Sequence, residues 1–275
     1  MARYTIKDGK GIIDPSSTVI EEGEFSSNSE LTSIVIPRSV TRIGNGAFAF
    51  CSGLTSIVIP DSVTEIGIDT FLGCTSLTSI VIPNSVTEIG IHTFWGCTSL
   101  TSIVIPNSVK KINNNAFMGC TSLTSVVISD SVTEIGDYAF QSTGLTSIEI
   151  PNSVKRIGEG AFWGCAGLTS IVISDSVTEI VTNAFDGCSG LRQASILGPV
   201  KEINWLFRNC SALETVTFGV GIDGFDEDMF KGCESLKAIY VPAKKTDYYA
   251  RRLYALPHGN SLCKLIVELP AEKKK

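Results

Sequence analysis

The sequence predicts a β-rich α/β solenoid. Three observations carry that prediction: a leucine that returns every 22 or 23 residues, an alternating apolar pattern behind each leucine, and a phenylalanine near the end of each unit. Leu31, Leu54, Leu77, Leu100, Leu123, Leu145, Leu168, Leu191, Leu213 and Leu236 open successive units. Self-similarity at such a period marks a repeat array, in which each unit touches only its neighbours.

Within one unit the apolar spacing changes along the chain. Ile57 and Ile59 alternate with Ser56 and Val58, which is strand spacing with one face in and one out. Pro60, Asp61 and Ser62 then turn the chain, because proline fixes φ and cannot donate to a ladder. Val63 and Ile66 begin a second, shorter extended segment. Phe71 and Cys74 lie three apart, which predicts one inward-facing turn of α- or 3₁₀-helix. A single unit cannot bury these side chains, whereas stacked copies bury them against each other at roughly 1.5 to 3 kcal/mol for each large residue. At about 4.8 Å per strand, ten turns predict a rod on the order of 45 to 50 Å long.

Both ends need cover. Residues 1–30 read as an N-terminal degraded repeat or cap, since Phe25 precedes Leu31 by the same six residues that separate Phe48 from Leu54, with Ile13 and Ile20 in register. Residues 31–242 form the repeats proper, and residues 243–275 a C-terminal cap with a basic tail. In that last part residues 247–256 look helical, Pro257 and Gly259 end the helix, and residues 263–269 could add a final strand.

Composition narrows the function classes. With 43% apolar and 18% charged residues the 275-residue chain is too hydrophobic for a disordered one. No apolar run approaches the roughly 20 residues that a membrane helix needs, and residues 1–8 show no secretory signal. The net charge is -6; residues 237–275 hold nine Lys/Arg against three Asp/Glu, and the remainder 13 against 25. An acidic body without clustered cations argues against nucleic acid as a partner.

The recurring L-x-x-I-x-I-P-x-S-V-x-x-I-x-x-x-A-F-x-G-C, over roughly residues 10 to 242, resembles the BspA-like (Treponema-type) leucine-rich repeats of bacterial and protist surface proteins. The resemblance implies a right-handed leucine-rich-repeat superhelix used for adhesion or recognition, often at a cell surface. One departure from the common leucine-rich consensus is that Cys74 stands three residues before Leu77 rather than after the strand.

Candidate chemistry is sparse. Cys51, Cys74, Cys97, Cys120, Cys165, Cys188, Cys210 and Cys233 occupy one column; at a pitch of about 4.8 Å with parallel Cβ vectors they are too far apart for disulfides, so they read as small buried fillers. No C-x-x-C exists, and His92 and His258 are far apart, so no metal site is expected; His92 reads as solvent-facing. Residues 223–228 are acidic but lack a calcium loop's spacing and closing glutamate. Glu65, Glu88, Glu134, Glu179 and Glu202 are one repeat column, interleaved with Arg42, Lys111 and Arg156, which predicts a charge-balanced ladder rather than a catalytic pair. No nucleophile elbow or phosphate-binding loop occurs, so no catalytic residue and no cofactor are predicted.

What remains is surface. Val35, Val58, Val81, Val104 and Val127 form an outward stripe, resumed at Val172 after Glu149 and flanked by serines from Ser33 onward. Such a stripe marks an interaction face; β-propensity in duplicated repeats would produce it as well. The residue after each core phenylalanine varies: Ala49, Leu72, Trp95, Met118, Gln141, Trp163, Asp186, Arg208 and Lys231. Leu72, Trp95, Met118 and Trp163, with Ile68 and Ile91 nearby, are candidate ligand contacts, or large side chains folded over the core edge. The expected function is non-catalytic recognition of a protein or glycan ligand. The alternatives are a self-associating solenoid that forms a homodimer through the valines, a calcium-dependent enzyme at residues 223–228, and an array that orders water or polysaccharide.

Overall fold

The computed structural model describes residues 4–222, 224–256 and 259–270. Asp223, Pro257, His258, Lys273, Lys274 and Lys275 lie outside the described residues, as does the side chain of Glu202. The chain is a β-solenoid of about 11 turns. Most coils open with a short strand, such as Ser33–Val35, Ser56–Val58 and Ser79–Val81, paired in parallel and in register: Ile57 lies opposite Ile34 and Ile80, and Val58 opposite Val35 and Val81. The register follows from the pleat, since a slip by one residue would turn every buried isoleucine to solvent. After the proline corner a two-residue strand, such as Arg42–Ile43 or Glu65–Ile66, builds a second ladder.

The third segment is not the helical turn expected from the Phe71 to Cys74 spacing. It is a chain of tight turns whose N–H groups alternate in direction. Leu72 N–H and Cys74 N–H donate within the coil to Asp69 O and Phe71 O. Asp69, Phe71 and Gly73 N–H donate to Ile91, Thr93 and Trp95 O of the following coil, at 2.7 to 3.1 Å. Left-handed backbone on either side of the phenylalanine, φ 56 at Asp69 and φ 66 at Gly73, turns alternate peptides along the solenoid axis. A helix would spend those donors on its own carbonyls and leave this face of the coil unjoined to its neighbour.

The core is a column for each inward residue. Phe25, Phe48, Phe71, Phe94, Phe117, Phe140, Phe162 and Phe185 stack with ring centroids 5.2 to 5.5 Å apart and planes within 2° to 8°, inside the range favoured for aromatic pairs. The last steps, through Phe207 to Phe230, loosen to 6.1 and 6.3 Å. Each cysteine Sγ of the column donates to the phenylalanine carbonyl of the coil before it, Cys74 to Phe48 O and Cys120 to Phe94 O at 3.1 Å. In the short coil that ends at Leu145, Thr143 takes the cysteine's place, its hydroxyl on Phe140 O at 2.9 Å and 3.2 Å from Cys165 Sγ. At the corners threonines do similar work: Thr32 O accepts both the N–H and the hydroxyl of Thr55, at 3.0 and 3.1 Å.

At the front, Tyr4–Lys7 runs antiparallel to Lys10–Ile13, which pairs in parallel with Ser33–Val35, and the Tyr4 ring lies 4.3 Å from Phe25. At the back, helix Thr246–Tyr254 buries Tyr249 and Leu253, and Tyr249 stacks on Phe218 at 5.8 Å. A short helix, Gly259–Cys263, follows, with Cys263 Sγ on Ala250 O at 3.3 Å; the final strand is therefore only Ile266–Glu268, parallel to Ala238–Val241. Cys263 belongs to that helix rather than to the strand expected over residues 263–269.

A truncation in the middle of the ring column leaves a cavity walled by rings on both sides. Phe117→Ala should cost about 3 to 5 kcal/mol and Phe230→Ala, half-buried at the loose end, clearly less; guanidinium midpoints followed by circular dichroism will separate the two.

Candidate functional site

The first strands present one candidate surface. Val35, Val58, Val81, Val104 and Val127 are 56% to 73% exposed, with their isoleucine and valine neighbours buried beneath. The ladder is interrupted: Ser79–Val81 ends one sheet, Ser102–Ile105 and Ser125–Ile128 form a second, and residues 145–150 contribute no strand. Across the first interruption lies a groove of about 880 Å³ with Val81, Val104 and Val127 on its floor, Ser79 and Ser102 on one side, and Asn84, Asn107, Asp130 and Glu149 on the other.

The turn segments present the other surface. Trp95 is 37% and Trp163 40% exposed, while Leu72 and Met118 are half-buried. His92 is half-buried rather than freely solvated: Nδ1 lies 2.8 Å from Asp69 Oδ1 and the ring 5.0 Å from Trp95. None of Leu72, Trp95, Met118 or Trp163 lines the valine groove. The candidate residues therefore divide between two faces, because a strand and a turn segment of one coil are separated by a corner.

The second strands carry the charges. Arg156 bridges Glu134, Asp137 and Glu179 at 3.1 to 3.3 Å, and Lys111 meets Glu134 at 3.0 Å. Further along, Asp186, which is buried, pairs with Arg208 at 2.7 Å and with Asn209 at 2.9 Å, and the Arg208 guanidinium lies 5.0 Å over the Trp205 ring. Spacing within one repeat did not predict this group, since its members come from successive coils. Tyr138 O–H donates to Glu159; that bond, with burial, pushes the phenol up to about 12. Asp226 accepts from the N–H groups of Trp205 and Asp228, so it organises a turn. Among the described residues no three His, Cys, Asp or Glu side chains converge in a way that could hold a metal ion.

A family model described as the BspA type leucine rich repeat region, in six copies, matches residues 18–144 and 133–252. The chain belongs to the BspA-type leucine-rich-repeat family. Among solved structures it is similar to a leucine-rich repeat protein from Bacteroides ovatus, with 26% identity over 94% of this chain and 77% of that one, at a TM-score of 0.61. It also shares its fold with a leucine rich cell surface protein from Faecalibacterium prausnitzii (23% identity, 100% and 94% covered, TM-score 0.55) and with the pneumococcal vaccine antigen PcpA (19% identity, 92% and 71% covered, TM-score 0.59). No curated protein matches the chain.

The cysteine column of this BspA-type chain is structural in its chemistry. Burial pushes Cys51 and Cys165 up to about 11 and Cys120 and Cys233 up to about 12, and it lifts Cys97 and Cys188 well above the ordinary thiol value. A reactive thiolate requires the opposite shift. The fold thus holds the neutral form, so the stability these groups contribute is complete below the unfolded value of 9 and is lost as pH rises from there towards 12. Urea midpoints should fall above pH 9. Iodoacetamide at pH 8 should label half-buried Cys263, which stands outside the column, and reach the column only after unfolding; rapid native labelling of Cys97 or Cys120 would contradict this account.

Proposed function

We propose that this chain is a non-catalytic recognition scaffold that takes a protein ligand on its valine face. The observation that carries the reading is the groove over Val81, Val104 and Val127: an exposed apolar floor that crosses a break in the first-strand ladder, with amides and carboxylates along one side. A partner that fits presents an apolar ridge bordered by a basic side chain, which Asp130 and Glu149 would meet. The acidic balance of the chain favours the same partner sign. Residues 31–242 carry the surface in this reading, and residues 1–30 and 243–275 cover the ends of the stack. Display at a cell surface is part of the proposal, in keeping with the cell surface protein that shares the fold.

A second reading rests on the length of the valine stripe. Apolar residues in a straight row are self-complementary, so two copies could pair through them.

Panning a phage-displayed random peptide library on the immobilised chain should enrich peptides with an apolar run next to Lys or Arg. Their affinity should drop at least about tenfold for Val81→Lys/Val104→Lys and hold for Trp163→Ala. No enrichment, or enrichment indifferent to the lysines, would sink the proposal. Light scattering should show a monomer; a dimer that the lysine pair dissociates would assign the stripe to self-association instead.

A further inference from the structure

Trp95 and Trp163 occupy the same position in their coils, one residue after Phe94 and Phe162, yet their neighbouring rungs differ. The rungs before and after Trp95 are Leu72 and Met118, with exposed Ile68 and Ile91 close by on the same face. The rungs before and after Trp163 are Gln141 and Asp186. Tyr138 stands at the edge of the Trp163 ring, centroids 6.3 Å apart and planes at 51°, and holds the Glu159 carboxylate through its hydroxyl. Each tryptophan thus has a second ring and a carboxylate at hand, since His92, held by Asp69, lies 5.0 Å from Trp95, but the neighbouring rungs of Trp95 are aliphatic and those of Trp163 carry hydrogen-bonding groups.

The Trp163 indole reaches Gly187 of the following coil, where an added Cβ would sit 3.6 Å from both Cδ1 and Nε1 of the ring, much as Trp95 Cδ1 lies 3.9 Å from the corresponding point at Gly119. Gly187 has φ 71, so the turn already calls for glycine, and the bare backbone leaves room for the ring, which stays 40% exposed. The strong charges near it are already matched inside the protein: Asp137 by Arg156 at 3.1 Å and Asp186 by Arg208 at 2.7 Å. What faces a ligand is a π surface ringed by an amide, a carboxylate that keeps acceptor capacity, and the exposed Ser142 next to Gln141.

We propose that Trp163, with Tyr138, Gln141 and Glu159 around it, forms a carbohydrate subsite for a neutral pyranose within a β-linked oligosaccharide. A pyranose with equatorial hydroxyls has an apolar C–H face whose partial positive charge suits the negative face of an indole. Its rim hydroxyls both donate and accept, which suits Gln141 and Glu159. A uronic or sialic acid would meet Glu159 with no unmatched cation to hold it, so the site selects against anionic sugars. The subsite is on the turn face, not in the valine groove, and its failure would leave the protein-recognition reading standing.

Cellohexaose and chitohexaose titrated into the full chain, read by tryptophan fluorescence and calorimetry, test it. At least one should bind saturably, and polygalacturonate should not. Trp163→Ala should weaken binding at least about tenfold, Trp163→Phe should retain part of it, and Trp95→Ala and Val81→Lys/Val104→Lys should leave it unchanged. If Trp163→Ala melts early, Gln141→Ala supplies the same loss without removing the ring. The proposal is overturned if neither neutral oligosaccharide binds, if Trp163→Ala binds as tightly as the unaltered chain, or if a lysine-rich peptide rather than a sugar shows the Trp163-dependent signal.

Discussion

The constraint on which the rest of this structure depends is that the coils are joined by hydrogen bonds on all three sides at one shared pitch. On the strand sides the parallel ladders exchange donors in both directions, as Thr55 N–H donates to Thr32 O and Ile239 N–H to Leu265 O. On the turn side the earlier coil donates to the later, as Phe71 N–H does to Thr93 O. Since buried backbone groups must be paired, each coil has to present the same donors and acceptors at the same height. The inward residues are then obliged to stack like on like. The parallel phenylalanine rings and the single cysteine column follow from that, as does the Sγ bond from each cysteine to the phenylalanine carbonyl one coil back.

The same constraint explains where the repeats tolerate change. The coil ending at Leu145 is one residue short, and the loss falls between Thr143 and Leu145, at a corner; residues 145–150, which follow, add no strand to the first ladder, whereas the second ladder runs on through Glu134 and Arg156. Thr143 is buried in the cysteine's place, with its hydroxyl on Phe140 O of its own coil rather than on the coil before and beside the Cys165 thiol. Outward positions carry no such obligation. They can hold valine on one face, salt-bridged Arg156 and Glu134 on the second, and aromatic rings beside glycine on the third without disturbing the stack. In the proposed recognition role, what matters is which side chains the faces carry, with the coil as their support.

Much of this was legible in the amino-acid pattern. The leucine period, the inward Ile57 and Ile59, the register of Phe25 with Phe48 and the cysteine column all follow from repetition, and repetition is a one-dimensional property. The turn segment was misread because a three-residue spacing between Phe71 and Cys74 fits a helix as well as a pair of turns; the glycines and asparagines at the flanking positions were the available signal. Asp8-Gly9, with φ 51 and 75, is a hairpin signal that marks the Tyr4–Lys7 strand, and it lies in the part read only as a degraded repeat. Glu159 with Tyr138, and Asp186 with Arg208, could not be read from one unit, because each pair joins different coils.

By itself the sequence determined that this chain is a stack of like coils and which residues point inward. A period and an alternation suffice for that, since burial depends on which positions repeat. Only the tertiary structure decided which exposed residues share a face. It separated the valine stripe from the tryptophan column, opened the groove where the first-strand ladder breaks, and brought the Trp163 ring to a glycine in the following coil. Those relations depend on the angle each corner turns and on contacts between residues more than 20 positions apart, neither of which the order of residues within one repeat contains.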